Sequence, residues 1–242
     1  MMKLIRLVKR KPGLTPAQFK EHWLGPHAAL QQRAIAATPT LRIAANIATG
    51  EAFGGAAAPF DGMIEAWFAN EADARAAMTS PAMGPIREDV AKFIDTAASP
   101  AHQLCEEYLM SKKPGAAGET KPSGQIKIIR TVYRRKDLTP RQFKDYWLNN
   151  HSKLEDRVIR ESPVTRIVAT FAVPEPGTEP GFDGMVELYF NSADDIRAMF
   201  AGPIPAMMRK DEENFVQMDA PAIRVVAEEH TIAAKEAAHA TR

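Results

Sequence analysis

Apolar residues recur along this chain with two alternating periods, and the whole succession occurs twice. Leu4 to Lys9 is short, apolar and β-branched, which reads as a strand. Pro12-Gly13 breaks the chain. Thr15-Pro-Ala-Gln18 then has the makings of a helix start: a Thr cap, Pro at the first helical position, and Gln three residues after the cap. Phe19, Trp23, Pro26 and Leu30 follow on one helical face, and Pro39 ends the helical region. Leu41 to Ala48 and Met63 to Phe68 read as strands two and three. Glu71 to Met78 reads as a helix, interrupted at Ser80-Pro81 and resuming to Phe93, before a fourth strand over His102 to Met110.

The second succession repeats the first residue by residue. Lys3 to Ala48 aligns with Lys127 to Ala172 at a constant offset, and 22 of these 46 positions are identical, too many for coincidence. Phe60-Asp-Gly-Met63 matches Phe182-Asp-Gly-Met185 after two residues are lost in the Gly- and Ala-rich loop Thr49 to Pro59. The spacing predicts a first domain over 1–110, a linker over 111–124 rich in Lys, Pro and Gly, a second domain over 125–232, and an Ala-rich tail over 233–242 that forms a short helix or frays.

The order βαββαβ is the ferredoxin-like split βαβ, whose sheet carries both helices on one face and leaves the other uncovered. The expected fold class is therefore α+β, with two tandem ferredoxin-like domains whose sheets meet face to face in a pseudo-dimeric α/β barrel within one chain. Alternation along the third strand places Gly62, Ile64, Ala66 and Phe68 under the helices. It places Glu65 and Trp67, matched by Glu187 and Tyr189, toward the interior. Arg6 and Arg130 lie on the neighbouring first strand, so Arg6–Glu65 and Arg130–Glu187 are the expected interior pairs. They serve either as ties between strands or to orient a substrate.

Composition narrows the class. Hydrophobic residues make up 45% and charged residues 25%, and the net charge is +1 with both signs mixed, so neither a nucleic-acid nor a membrane partner is expected. No apolar run approaches the roughly 20 residues of a membrane helix, and a cytoplasmic protein is the simplest expectation. Cys105 is the single cysteine and reads as a small buried hydrophobe.

Of six histidines, only His27 and His151 occupy equivalent positions in both copies. Histidine is suited to proton transfer near neutral pH, so these two are the candidate catalytic or ligand-contacting groups; the competing role is to fix the helix end. Pro26 predicts that the helix kinks or restarts just before His27, whereas Asn149-Asn150 precedes His151. No metal site is expected, since no second ligand stands at metal spacing, and no phosphate loop or nucleophile elbow occurs. His22, which is Tyr146 in the other copy, reads as a rim or surface residue.

The run Lys-Arg-Lys-Pro-Gly-Leu-Thr-Pro-x-x-Phe-x-x-x-Trp-x-x-x-His-x-x-Leu at Lys9 to Leu30 resembles the EthD family of dimeric α/β-barrel proteins, and Arg134 to Leu154 repeats it with Arg-Lys-Asp in place of Lys-Pro-Gly. The resemblance covers nearly the whole chain in two passes. It implies a cavity enzyme that needs no cofactor, of lyase, decarboxylase or isomerase type, acting by acid–base chemistry on a small aromatic, lactone or polyketide-like compound. The family's histidine carries over onto His27 and His151. Arg6, Arg42, Glu65, Trp67, Arg130, Glu187 and Tyr189 are the expected substrate contacts. The alternatives are a binding barrel without turnover, favoured by the lack of a group to orient His27, and a monooxygenase or haem-handling relative. The expected partner is a small hydrophobic or aromatic molecule, and there is room for a homodimer of the two-domain chain.

Overall fold

The computed structural model describes residues 1–50, 58–115, 125–175 and 177–235. The first repeat runs β1 (Met2–Arg10), α1 (Pro16–His22), a π-helical turn (Trp23–His27), α2 (Ala28–Ala36), β2 (Arg42–Ala48), β3 (Gly62–Phe68), α3 (Glu71–Thr79), α4 (Gly84–Phe93), β4 (Ile94–Asp95) and β5 (Gln103–Lys112). The second runs β6 (Gln125–Val132), α5 (Pro140–Tyr146), a second π turn (Trp147–His151), α6 (Ser152–Glu161), β7 (Arg166–Ala172), β8 (Gly184–Phe190), α7 (Ala193–Ala201), α8 (Ile204–Glu212) and β9 (Arg224–Ala234). The fold class is the expected one: α+β, two tandem ferredoxin-like repeats of the α/β-barrel kind. Three boundaries differ. β5 runs to Lys112 inside the expected linker, β9 takes in Ala233 and Ala234 of the expected tail, and the two-residue β4 pairs with Lys9 and Arg10. The rest of the linker and the last seven residues lie outside the described residues, as does most of the Thr49 to Pro59 loop.

The chain divides into two compact units, one of 1–47, 60–104 and 230–242, the other of 48–59 and 105–229. In the first, β1 and β2 both pair antiparallel with β3. The helix-side core is Val8, Ile43, Ala45 and Ile47 under Phe19, Trp23, Ile35 and Phe93. In the second unit, β6 pairs with β8 and β9, and β8 with β7. β5 of the first repeat also pairs with β7 here, Cys105 opposite Ala172 through Lys112 opposite Arg166. A strand of the first repeat thus pairs along the edge of the second repeat's sheet in this unit. A paired edge satisfies backbone N–H and C=O groups that would otherwise need water.

The register corrects the expected ion pairs. Arg6 stands opposite Ile64 and Ile5 opposite Glu65; Arg130 stands opposite Val186 and Ile129 opposite Glu187. Paired residues share a face, so both arginines lie on the helix side, away from the glutamates. The glutamates take lysines instead. Lys3 Nζ is 2.7 Å from Glu65 Oε1, and Asn46 Nδ2 donates to Glu65 Oε2 at 2.9 Å. Lys127 bonds Glu187 and, at 2.8 Å, Glu229. All are buried. Lys3 and Lys127 are aliphatic to their tips, so a strand pattern read by side-chain type hides them among apolar positions.

Candidate functional site

Each helix start forms as its sequence dictates. Thr15 and Thr139 accept from the backbone N–H of Gln18 and Gln142, and each Gln side chain accepts in return from its cap's N–H. The helix then widens into a π turn in both repeats, over Trp23–His27 and Trp147–His151. At Pro26 the helix gives way to the π turn and restarts at Ala28: a π turn omits one backbone bond, and the N–H that Pro lacks is not needed there. Asn149-Asn150 takes the same turn, so the two histidines share one backbone setting. Glycine lets the turn approach the sheet. A Cβ on Gly62 would lie 2.8 Å from the Trp23 ring, and one on Gly184 3.0 Å from the rings of Phe143 and Trp147.

The π turn aims each histidine at an aspartate of the last helical segment. In the first repeat His27 Nδ1 and His22 Nε2 both lie 3.0 Å from Asp89 Oδ2, and Lys92 lies 2.9 Å from Oδ1. Phe93 packs against both imidazoles, with ring centroids 4.8 Å away. In the second, His151 Nδ1 is 2.7 Å from Asp211 Oδ2, the Tyr146 hydroxyl donates to Oδ1 at 3.1 Å, and Phe215 takes the place of Phe93. A carboxylate on Nδ1 fixes the tautomer with its proton there and presents Nε2 as the base. The orienting group thought missing from the sequence is therefore present twice. His22, expected at the rim, is bonded to it. Burial lowers the pKa of His27 and of His151, opposed by the aspartate bonds, so both rings favour the neutral form. Burial raises Asp89, but Lys92, His22 and His27 outweigh it and hold it at about 2.

The second repeat adds a group the sequence reading missed. Glu155, one helical turn beyond His151, is buried. Its Oε1 accepts from the Trp147 indole N–H at 3.2 Å, and its Oε2 has no partner among the described residues. Burial pushes this carboxyl up to about 7, against the Trp147 bond and with help from Asp156. A cavity of about 280 Å³ between the sheet and the helices is lined by Glu155, His151 and Trp147, by Ile128, Val186 and Leu188, and by Met199 and Met208. It is an apolar hollow holding one neutral imidazole and one carboxyl poised to gain or lose a proton near neutral pH.

Of the residues singled out in the sequence, His151 and Arg130 line this cavity. Arg130 makes a bidentate bond to Glu212, at 2.5 and 2.9 Å. Arg6 instead donates to the Pro100 carbonyl. Arg42, Glu65 and Trp67 cluster on the opposite face of the first unit's sheet, the Arg42 guanidinium 4.4 Å from the Trp67 ring centre. Glu187 and Tyr189 do so in the second, where Arg166, absent from the sequence-level set, lies 3.7 Å from the Tyr189 ring centre. Cys105 is buried, as expected. The aligned repeats did carry the missing signal: Asp89 and Asp211 are identical partners at the later offset, as are Phe93 and Phe215.

The model of the EthD domain family matches residues 11–97 and again 135–219. No protein of curated function matches the sequence. Among solved structures, an anthrone oxidase-like protein is similar at 9% identity and TM-score 0.64, covering 98% of this chain and 95% of its own. The chlorite dismutase of Candidatus Nitrospira defluvii, solved with imidazole, is similar at 10% identity and TM-score 0.55, covering 96% and 91%. An ethyl tert-butyl ether D (EthD) family protein from Bacillus halodurans C-125 aligns at 17% identity and TM-score 0.33, covering 43% of this chain and 95% of its own.

Proposed function

The chain belongs to the EthD domain family, and from that premise we propose that it is an enzyme transferring protons on a small aromatic or polyketide-like compound held in the cavity of its second repeat. The observation that carries this reading is Glu155: a buried carboxyl with a pKa of about 7 and one unpartnered oxygen, in the same apolar cavity as His151. Neutral His151, its Nδ1–H held by Asp211, accepts a proton at Nε2. Protonated Glu155 donates one from Oε2, and the two exchange roles for the reverse step. Such a pair suits a decarboxylation, dehydration or isomerisation through an enol, which moves protons and needs no electron acceptor. Similarity to a protein described as anthrone oxidase-like supports an aromatic substrate. A monooxygenase or haem-handling relative is the second reading, supported by likeness to an anthrone oxidase-like protein and to a chlorite dismutase.

The test is to incubate the protein with a panel of aromatic, lactone and polyketide-like acids and ketones in D₂O and follow deuterium incorporation and product by NMR. Turnover that falls about 10²-fold or more in Glu155→Gln and His151→Ala, with folding retained, is expected. A turned-over compound whose rate is unaffected by both variants removes this pair from the chemistry.

A further inference from the structure

The second repeat's cavity has a charged end that the proton-transfer pair does not use. Arg130 of β6, Arg209 of α8 and Arg224 of β9 line it, and the same three line an adjoining hollow of about 120 Å³ with Tyr133 and Gln217. These arginines, with Val132 and Val216, are common to the linings of the apolar chamber and the polar one. Besides Glu155 the cavity lining holds the carboxylate Glu212, which Arg130 grips with both Nη atoms while its Nε has no partner among the described residues. Glu155 adds no full charge while it holds its proton. Burial, then the neighbouring Arg130 and Arg209, lower the pKa of Arg224 against the opposing pull of Glu212. Like charges held together on an apolar wall are costly unless an anion shares the site.

We infer that the compound bound in this cavity carries an oxyanion, a carboxylate or a phosphate, placed at the Arg130–Arg209–Arg224 wall with its apolar body toward Met199 and Leu188. Guanidinium groups bind either anion in a planar fork, so the wall fixes orientation as well as charge. The inference rests on the cavity being the substrate site and adds the substrate's charge. The first repeat lacks this arrangement: Arg6, Arg87 and His102 hold the aligned positions, and Val90 stands where Glu212 does.

Equilibrium binding to the full chain tests this without turnover. Benzoate, phenyl phosphate and the neutral isostere benzamide are titrated by ligand-observed NMR. At least one anion should bind about tenfold or more tightly than benzamide. Arg209→Gln, at an exposed position that leaves the core untouched, should weaken that anion about tenfold and leave benzamide unchanged. Arg224→Gln should do the same, and Glu155→Gln should keep the preference. Equal binding of all three probes, or an anion preference indifferent to both arginine variants, overturns the inference and leaves the acid–base reading standing. Intact anion preference together with turnover that ignores His151 and Glu155 does the reverse.

Discussion

Four residues after its histidine the first repeat carries Gln31, and the second carries Glu155. Both side chains are buried, eight residues after the tryptophan that opens the π turn. Gln31 Oε1 and the Trp23 indole nitrogen have no partner among the described residues, whereas Trp147 donates to Glu155. The surrounding scaffold is otherwise shared: the capping box, the π turn, the His–Asp bond and the phenylalanine against the imidazole occur in both. What separates the copies is one ionisable group and its company. In the first repeat His22, His27 and Lys92 crowd Asp89, and Gln31 stands where the second repeat has Glu155. In the second a hydroxyl replaces one of them and a carboxyl is added. Duplication lets one copy retain the frame while the other gains a buried ionisable group.

The largest effect that could break this comparison is on turnover. His151→Ala should reduce it about 10²-fold or more, and His27→Ala by no more than a few-fold, both with unchanged far-UV dichroism. Equal losses would make the two copies functional equals.

Next comes stability against pH. The folded-state pKa of Glu155, about 7, lies above the 4.5 of an ordinary glutamate. The folded chain therefore binds this proton more tightly than the unfolded one. The contribution is fully present below about 4.5 and is lost as pH rises through about 7, and the size of the shift puts the loss at about 3 kcal/mol. Glu155→Gln should thus raise the melting temperature at pH 8, on the order of 5–10 °C, and change it little at pH 4. Gln31→Glu should do the opposite in the first repeat. A Glu155→Gln effect that is the same at both pH values would mean the carboxyl is ionised throughout.

The pH profile of turnover sharpens the same point. Activity needs neutral His151 and protonated Glu155, so kcat/KM should rise through a value below that of free histidine and fall through about 7. In Glu155→Gln the falling limb should vanish from whatever rate remains. The smallest effect concerns the groups behind the histidine. Asp211→Asn should cost about tenfold in turnover by loosening the tautomer, and Tyr146→Phe, which removes one of three side-chain bonds to the Asp211 carboxylate, less than about threefold. A larger effect of Tyr146→Phe would place its hydroxyl in contact with substrate.

The repeat, the element order, the capping boxes and the apolar faces were legible because each rests on local patterning, and a duplicated pattern states itself twice. The pairing of His27 and His151 was legible for the same reason. The partners of those histidines were not, since Asp89 and Asp211 lie 62 and 60 residues further on and reach the π turn only once the helices pack on the sheet. Strand parity misled where it was read one residue out. Arg6 and Glu65 looked like neighbours until the register put Ile5 opposite Glu65 and gave the carboxylate to Lys3. Glu155 was hidden altogether, because an acid on a helix reads as a solvated residue. Sequence by itself determined which residues repeat and which face of each element is apolar. Only tertiary burial, by taking water from one carboxyl and leaving an oxygen of it unpaired, decided which of two near-identical frames holds a proton near neutral pH.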